Sequence, residues 1–209
     1  MKLRYAIWAT PAVLFACGGE QPGNGTPAAE AAPLAAEQGL DVGQLACEPQ
    51  RDPAGRASPY DSTRFAIDGG EILVCYGRPS ARGRTMLGGE QVPYGRLWRT
   101  GANEPTIVHV SVPVTLAGID VEPGAYSLYT VPGEAEWTVI VNRAIDQWGH
   151  ESSYTPEVEA QEVGRGTVTA ERADDHVEQF TIRADEAGTG ATLILEWEHT
   201  RVPIPVRAR

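Results

Sequence analysis

Five arginines crowd one short stretch of this sequence. Arg78, Arg82, Arg84, Arg96 and Arg99 fall within 22 residues, among glycines, prolines and the aromatics Tyr94 and Trp98. Between residues 74 and 106 the only acids are Glu90 and Glu104. The guanidinium is a planar, permanently charged fork that meets a carboxylate or phosphate two bonds at a time. The rest of the chain is acidic: beyond residue 16 it holds 15 Arg, no Lys and 28 Asp and Glu, a balance of −13. Cations concentrated in such a chain set up two chemistries, a site for an anion or an internal network of ion pairs.

Arg78, Arg84 and Arg99 are the leading anion-binding candidates, because they flank Pro79, Gly83 and Gly101 in an irregular segment, and loops held by a rigid scaffold commonly carry function. Ser80, Asn103 and Glu104 lie among them. Trp148, in the loop 142–149, is expected at the pocket edge, where an aromatic beside Arg and Asn could hold a sugar-like ring. Trp137 and Trp197 are expected in the core. The structural alternative pairs the arginines with Glu104, Glu136, Glu196 or Glu198 and staples the loop to a sheet. A third reading is hydrolysis, with Glu104 as an acid/base and the arginines stabilising developing negative charge. No Gly-x-Ser-x-Gly motif is present, and Ser80 and Thr100 have no adjacent His. His109, His150, His176 and His199 stand singly, without metal-ligand spacing, so no metal and no other cofactor is implied. His109 is expected on a polar sheet face. The acidic balance speaks against a nucleic-acid partner, which requires a basic face.

The elements that must position these residues are strands. Runs with a period of two recur at 64–67, 72–76, 106–112, 114–121, 126–131, 137–141, 166–170, 177–182, 191–197 and 202–206, with turn residues every 8–12 positions. Asp68-Gly69-Gly70 reads as a hairpin turn and Ala117-Gly118 as another. Only 156–161 reads as a short helical turn. The run 202–206 contains Pro203 and Pro205, which cannot donate to a ladder, and is expected at a sheet edge. The pattern predicts an all-β fold: a single antiparallel β-sandwich or jelly-roll-like domain over 50–209.

The N-terminus has a different character. Lys2 and Arg4 precede an apolar run at 5–16, too short for a permanent span, that ends in Leu14-Phe15-Ala16-Cys17-Gly18. This resembles the lipobox of bacterial lipoproteins. The resemblance implies a signal peptide at 1–16, lipidation of Cys17 and, with Gly18 rather than Asp following, an outer-membrane location facing the periplasm. The lipid would be the only membrane contact. Residues 17–49 are rich in Ala, Pro, Gly, Gln and Glu without a sustained apolar period, the composition of a flexible tether. With Cys17 taken by lipid, Cys47 and Cys75 remain in an oxidising compartment and are expected to form a disulfide, the alternative being two free thiols.

Several strings resemble one family of exported bacterial proteins, the domain of unknown function DUF2911. They are YGRPS at 76–80, VPYG at 92–95, WRTGANE at 98–104, GAYSL at 124–128, EWTVI at 136–140 with Asn142, QWG at 147–149, and ATL at 191–193 with Trp197-Glu198. The resemblance spans about 58–206 and implies export and a compact domain, but no reaction. The expectation carried forward is an envelope lipoprotein that binds a small anionic or carbohydrate-like ligand through Arg78, Ser80, Arg84, Arg99, Asn103, Glu104 and Trp148. An envelope hydrolase and a structural or protein-interaction lipoprotein are the alternatives.

Overall fold

The computed structural model describes residues 45–209. The expected signal at 1–16, Cys17 and the expected tether as far as residue 44 lie outside the described residues. Two antiparallel sheets form an open sandwich. In the larger sheet, β1 (Tyr60–Ile67), β2 (Gly70–Gly77), β3 (Thr106–Val110), β6 (Gly124–Val131), β7 (Glu136–Asn142) and β8 (Glu162–Thr169) lie in that order. The smaller sheet runs β5 (Ile119–Val121), β4 (Val114–Leu116), β10 (Gly190–Ala208), β9 (Glu171–Ala187). A 3-10 turn, Glu151–Ser153, and the short helix α1, Pro156–Glu159, are the helical elements among the described residues.

Alternation sorts side chains between the two faces of each strand. In β3, Val108 and Val110 enter the core while Ile107 and His109 face outward. His109 is half-buried there. Burial, with the Arg64 charge second, holds its imidazole below the ordinary histidine value. In β2, Ile72, Val74 and Tyr76 join the core, whereas Leu73 and Cys75 occupy the outer face with Leu45, Cys47, Tyr60 and Ile107. Cys47 and Cys75 form a disulfide, Cα–Cα 5.5 Å, which fastens the chain entering the domain across the outer face of this sheet.

Turn chemistry follows the sequence closely. Ala117 (φ 51°) and Gly118 (φ 78°) are both left-handed and close Leu116 against Ile119. Positive φ at both central residues is the primed turn whose twist matches that of its strands. Ile67 pairs with Gly70 around Asp68 and Gly69.

The expectation of an edge strand at 202–206 is overturned. These residues belong to β10, an interior strand of the smaller sheet. The register with β9 ends at Arg201, and that with β4 begins at Val206. Pro203 and Pro205 fall in the gap where the strand changes partner, so their missing N–H groups cost no ladder bond. The outer edge of β9 is covered over 178–182. There Pro79, Ala81 and Tyr76 bond its backbone, Tyr76 Oη both donating to Ile182 O (3.1 Å) and accepting from Ile182 N (2.9 Å). Among the described residues no strand pairs with that edge over 171–176.

Candidate functional site

The arginine-rich segment is a long loop, 78–105, folded over one end of the sandwich. Its anchor is Trp98. This residue hydrogen-bonds Thr130 in both directions (2.7 and 2.9 Å), continuing the larger sheet beside β6 beyond the end of β3. Its indole is 3 % exposed and packs against Trp197 (5.8 Å, stacked), Phe180 (5.1 Å) and Trp137 (6.0 Å). Burying such a ring stabilises the loop by roughly 3 kcal/mol. Trp137 and Trp197 pack in the core, as expected from their alternating strands, and Trp98 completes their cluster.

The backbone after Trp98 is strained. Thr100, fully buried, has φ 57°, and Asn103 has φ 68°. A β-branched residue in the left-handed region is a true outlier. It is held by Thr100 Oγ1 donating to Thr130 Oγ1 (3.0 Å) and Thr106 Oγ1 donating to the Thr100 carbonyl (2.7 Å). Earlier in the loop, Glu198 at a bulge of β10 accepts from the N–H groups of Met86 (3.1 Å) and Leu87 (2.8 Å).

The arginines divide by partner. Arg78 spans the two sheets, donating to Asp61 (2.9 Å), Phe180 O (3.2 Å) and Thr181 Oγ1 (2.9 Å). Arg82 donates to Ala57 O. Arg84 bonds only carbonyls of its own loop, Ala81 O (3.0 Å) and Ser80 O (3.1 Å), and no carboxylate among the described residues pairs with it. Arg99 donates through Nη1 to Gly149 O (3.0 Å) and Glu151 (3.2 Å), while its Nε is buried without a partner. An orphaned buried donor costs about 1–3 kcal/mol. Gly149 allows this approach: a Cβ there would lie 2.5 Å from Arg99 Cδ and 2.8 Å from the Glu104 carbonyl carbon.

Arg84, Arg99 and Asn103 line one cleft of about 370 Å³, with Ser58, His150 and Glu151. The volume falls within the range of small-molecule sites. The cleft floor includes Trp98 and Trp197, but burial leaves neither ring a face to offer. A second hollow of about 410 Å³ shares Gln91, Val92, Trp98 and Glu151 with the first.

The other sequence candidates are placed elsewhere. Ser80 contributes its carbonyl to Arg84 and bridges Gln179 of β9. Trp148 carries Arg51 over its ring at 3.9 Å. Glu104 is 1 % exposed and accepts both Arg56 nitrogens, Nη1 at 2.7 Å and Nη2 at 2.9 Å. Burial pushes its carboxyl up, but the Arg56 hydrogen bonds, backbone N–H groups and the Arg56 charge together outweigh this and hold it below the ordinary value near 4.5. A carboxylate locked this way is a fastener rather than a proton carrier. Beside it, Tyr60 is pushed up to about 12, by burial first and the Glu104 charge second. Sequence reasoning missed Arg56, His150 and Glu151. Arg56 lies outside the dense block, and the turn at 150–151 carries no motif. Among the described residues no three His, Cys, Asp or Glu side chains converge as a metal site.

One family model, described as "Protein of unknown function (DUF2911)", matches residues 58–206. That span includes the loop, the cleft and nine strands complete, and begins just before β1. No curated protein and no solved structure matches the chain.

Proposed function

The chain belongs to the DUF2911 family, and for it we propose an exported, lipid-anchored protein whose domain binds a small anion in the cleft between Arg84 and Arg99. One observation carries the reading. Two guanidiniums line the same cleft, and one of them, Arg84, has no carboxylate partner among the described residues. Had the loop arginines served only as staples, each would be expected to end on an acid, as Arg78 does on Asp61. Anion binding is favoured over a neutral sugar because the aromatic faces are taken. Trp98 and Trp197 are buried in each other's cluster, and Trp148 lies under Arg51.

Lipid anchoring is supported by the sequence around Cys17. Replacement by Ser is expected to leave unprocessed precursor or to release the protein from the membrane fraction, read by intact mass and fractionation; unchanged mass and fractionation would remove the anchor. The cleft is tested by thermal shift on the full chain at constant ionic strength, with chloride replaced by small oxyanions or supplemented with a neutral sugar. Oxyanions should raise the melting temperature of the parent, and Arg84→Gln should abolish the shift. The variant's own melting point should move by no more than a few degrees, since only two backbone acceptors lose a partner. A shift with sugar and none with any oxyanion would overturn this reading.

A further inference from the structure

We propose that the cleft takes a monocarboxylic acid bearing an apolar body, its carboxylate held by Arg99 and Arg84 and its body lying along Pro93, Leu97 and Tyr154. This rests on the anion-site reading and specifies it.

The donors define the head group. Arg99 has committed Nη1 to Gly149 O and Glu151, leaving Nε and Nη2, which share one edge of the guanidinium, with no partner among the described residues. That edge is a fork matched to the two oxygens of a planar carboxylate. Its Nε is buried and unpartnered, so a carboxylate completes the fork when the guanidinium edge turns slightly outward. Arg84 is oriented the other way round: Nε and Nη2 are committed to Ala81 O and Ser80 O, and Nη1 is left.

Charge sets the valence. Arg84 and Arg99 bring two positive charges to the cleft and Glu151 one negative, so a single negative charge on the ligand balances it. A dianion would carry an uncompensated charge beside the Glu151 carboxylate, which lies 3.2 Å from Arg99.

The adjoining hollow supplies room for the body. It shares Val92 and Trp98 with the cleft and adds Pro93, Leu97 and Tyr154. Glu90, Gln91, Arg96 and Glu151 are also on its wall, so the apolar contact is confined to the Pro93, Leu97 and Tyr154 side of the hollow.

The test is titration of the full chain with benzoate, acetate, inorganic phosphate and sulfate, read by thermal shift at matched ionic strength. Benzoate is expected to bind at least tenfold more tightly than acetate and than either multivalent anion. Arg99→Lys keeps the charge and loses the fork, and should weaken benzoate by about tenfold or more, the worth of one charge-assisted bond. Glu151→Gln, a partly exposed position, should fold normally and bring phosphate towards benzoate in affinity. Phosphate or sulfate binding more tightly than benzoate to the parent would overturn the carboxylate assignment while leaving the anion site standing. Silence from all four would overturn both. Benzoate binding unchanged in Arg99→Lys would overturn the role of the fork.

Discussion

Replacing Arg56 with Met would leave the Glu104 carboxylate, 1 % exposed, with backbone contacts only, from its own N–H and from Arg51 N at 3.4 Å. Removing one partner of a buried pair costs about 3–5 kcal/mol, a melting drop on the order of 10 °C for a domain of this size. The pH dependence has a definite sign. The folded state holds Glu104 below its ordinary value near 4.5, so it binds fewer protons there than the unfolded chain. The pair's contribution is present above about pH 4.5 and is lost as pH falls through the folded value. Urea unfolding of parent and Arg56→Met from pH 3 to 7 should therefore show a gap that narrows towards acid; a constant gap would mean that the pair does not titrate with folding. Little of this was legible beforehand. Glu104 stands in the dense block, but its partner is 48 positions away in an unpatterned segment. The same holds for Arg84 and Arg99: their residue types announced anion chemistry, while their convergence depends on how the loop turns at Thr100 and Asn103, both in backbone conformations that composition does not reveal.

Among the elements, the segment from Leu45 to Gln50 acts as a strap over the outer face of β2. Gln50 donates to Ile145 O (3.1 Å) and Gln147 O (3.3 Å), and Arg51 covers Trp148, so the strap also touches the loop that leads to Gly149 and Glu151. The disulfide closes a separation of 28 residues, worth roughly 3–4 kcal/mol in the chain-entropy description. Cys47→Ser, or reduction of the parent, should lower the melting temperature by about 10 °C and expose Leu73 to exchange, read by hydrogen exchange on β2; unchanged protection there would mean that the strap holds without its covalent link. The strands were readable wherever one face is buried, because alternation then has to appear in the sequence. They were not readable in full for β9, which runs Glu171–Ala187, since its first half is exposed on both faces and shows no alternation. Bulges beside Glu198 likewise broke the period in β10 and concealed its continuity through the two prolines.

For the molecule as a whole, the all-β class and the antiparallel sandwich followed from period and turns alone, and the span 58–206 from the series of strings running from 76–80 to Trp197-Glu198. What the sequence could not carry was which acids neutralise which arginines. Much of that neutralisation lies on the smaller sheet, where Arg183 pairs with Glu196 (3.0 Å) and Asp185 and Arg201 with Glu171 (3.0 Å). These pairs are largely exposed and contribute little each. They leave Asp174 and Asp175 on the stretch of β9 whose outer edge has no neighbouring strand among the described residues. An open edge is a template on which another chain can grow, and like charges arrayed along it repel a second copy before backbone groups can meet. The acidity of this stretch is therefore expected to keep a second copy from pairing along it. The double substitution Asp174→Thr, Asp175→Val should barely move the melting temperature, yet give a mass that climbs with concentration in light scattering; a mass independent of concentration would show that the edge is blunted by its bulge alone.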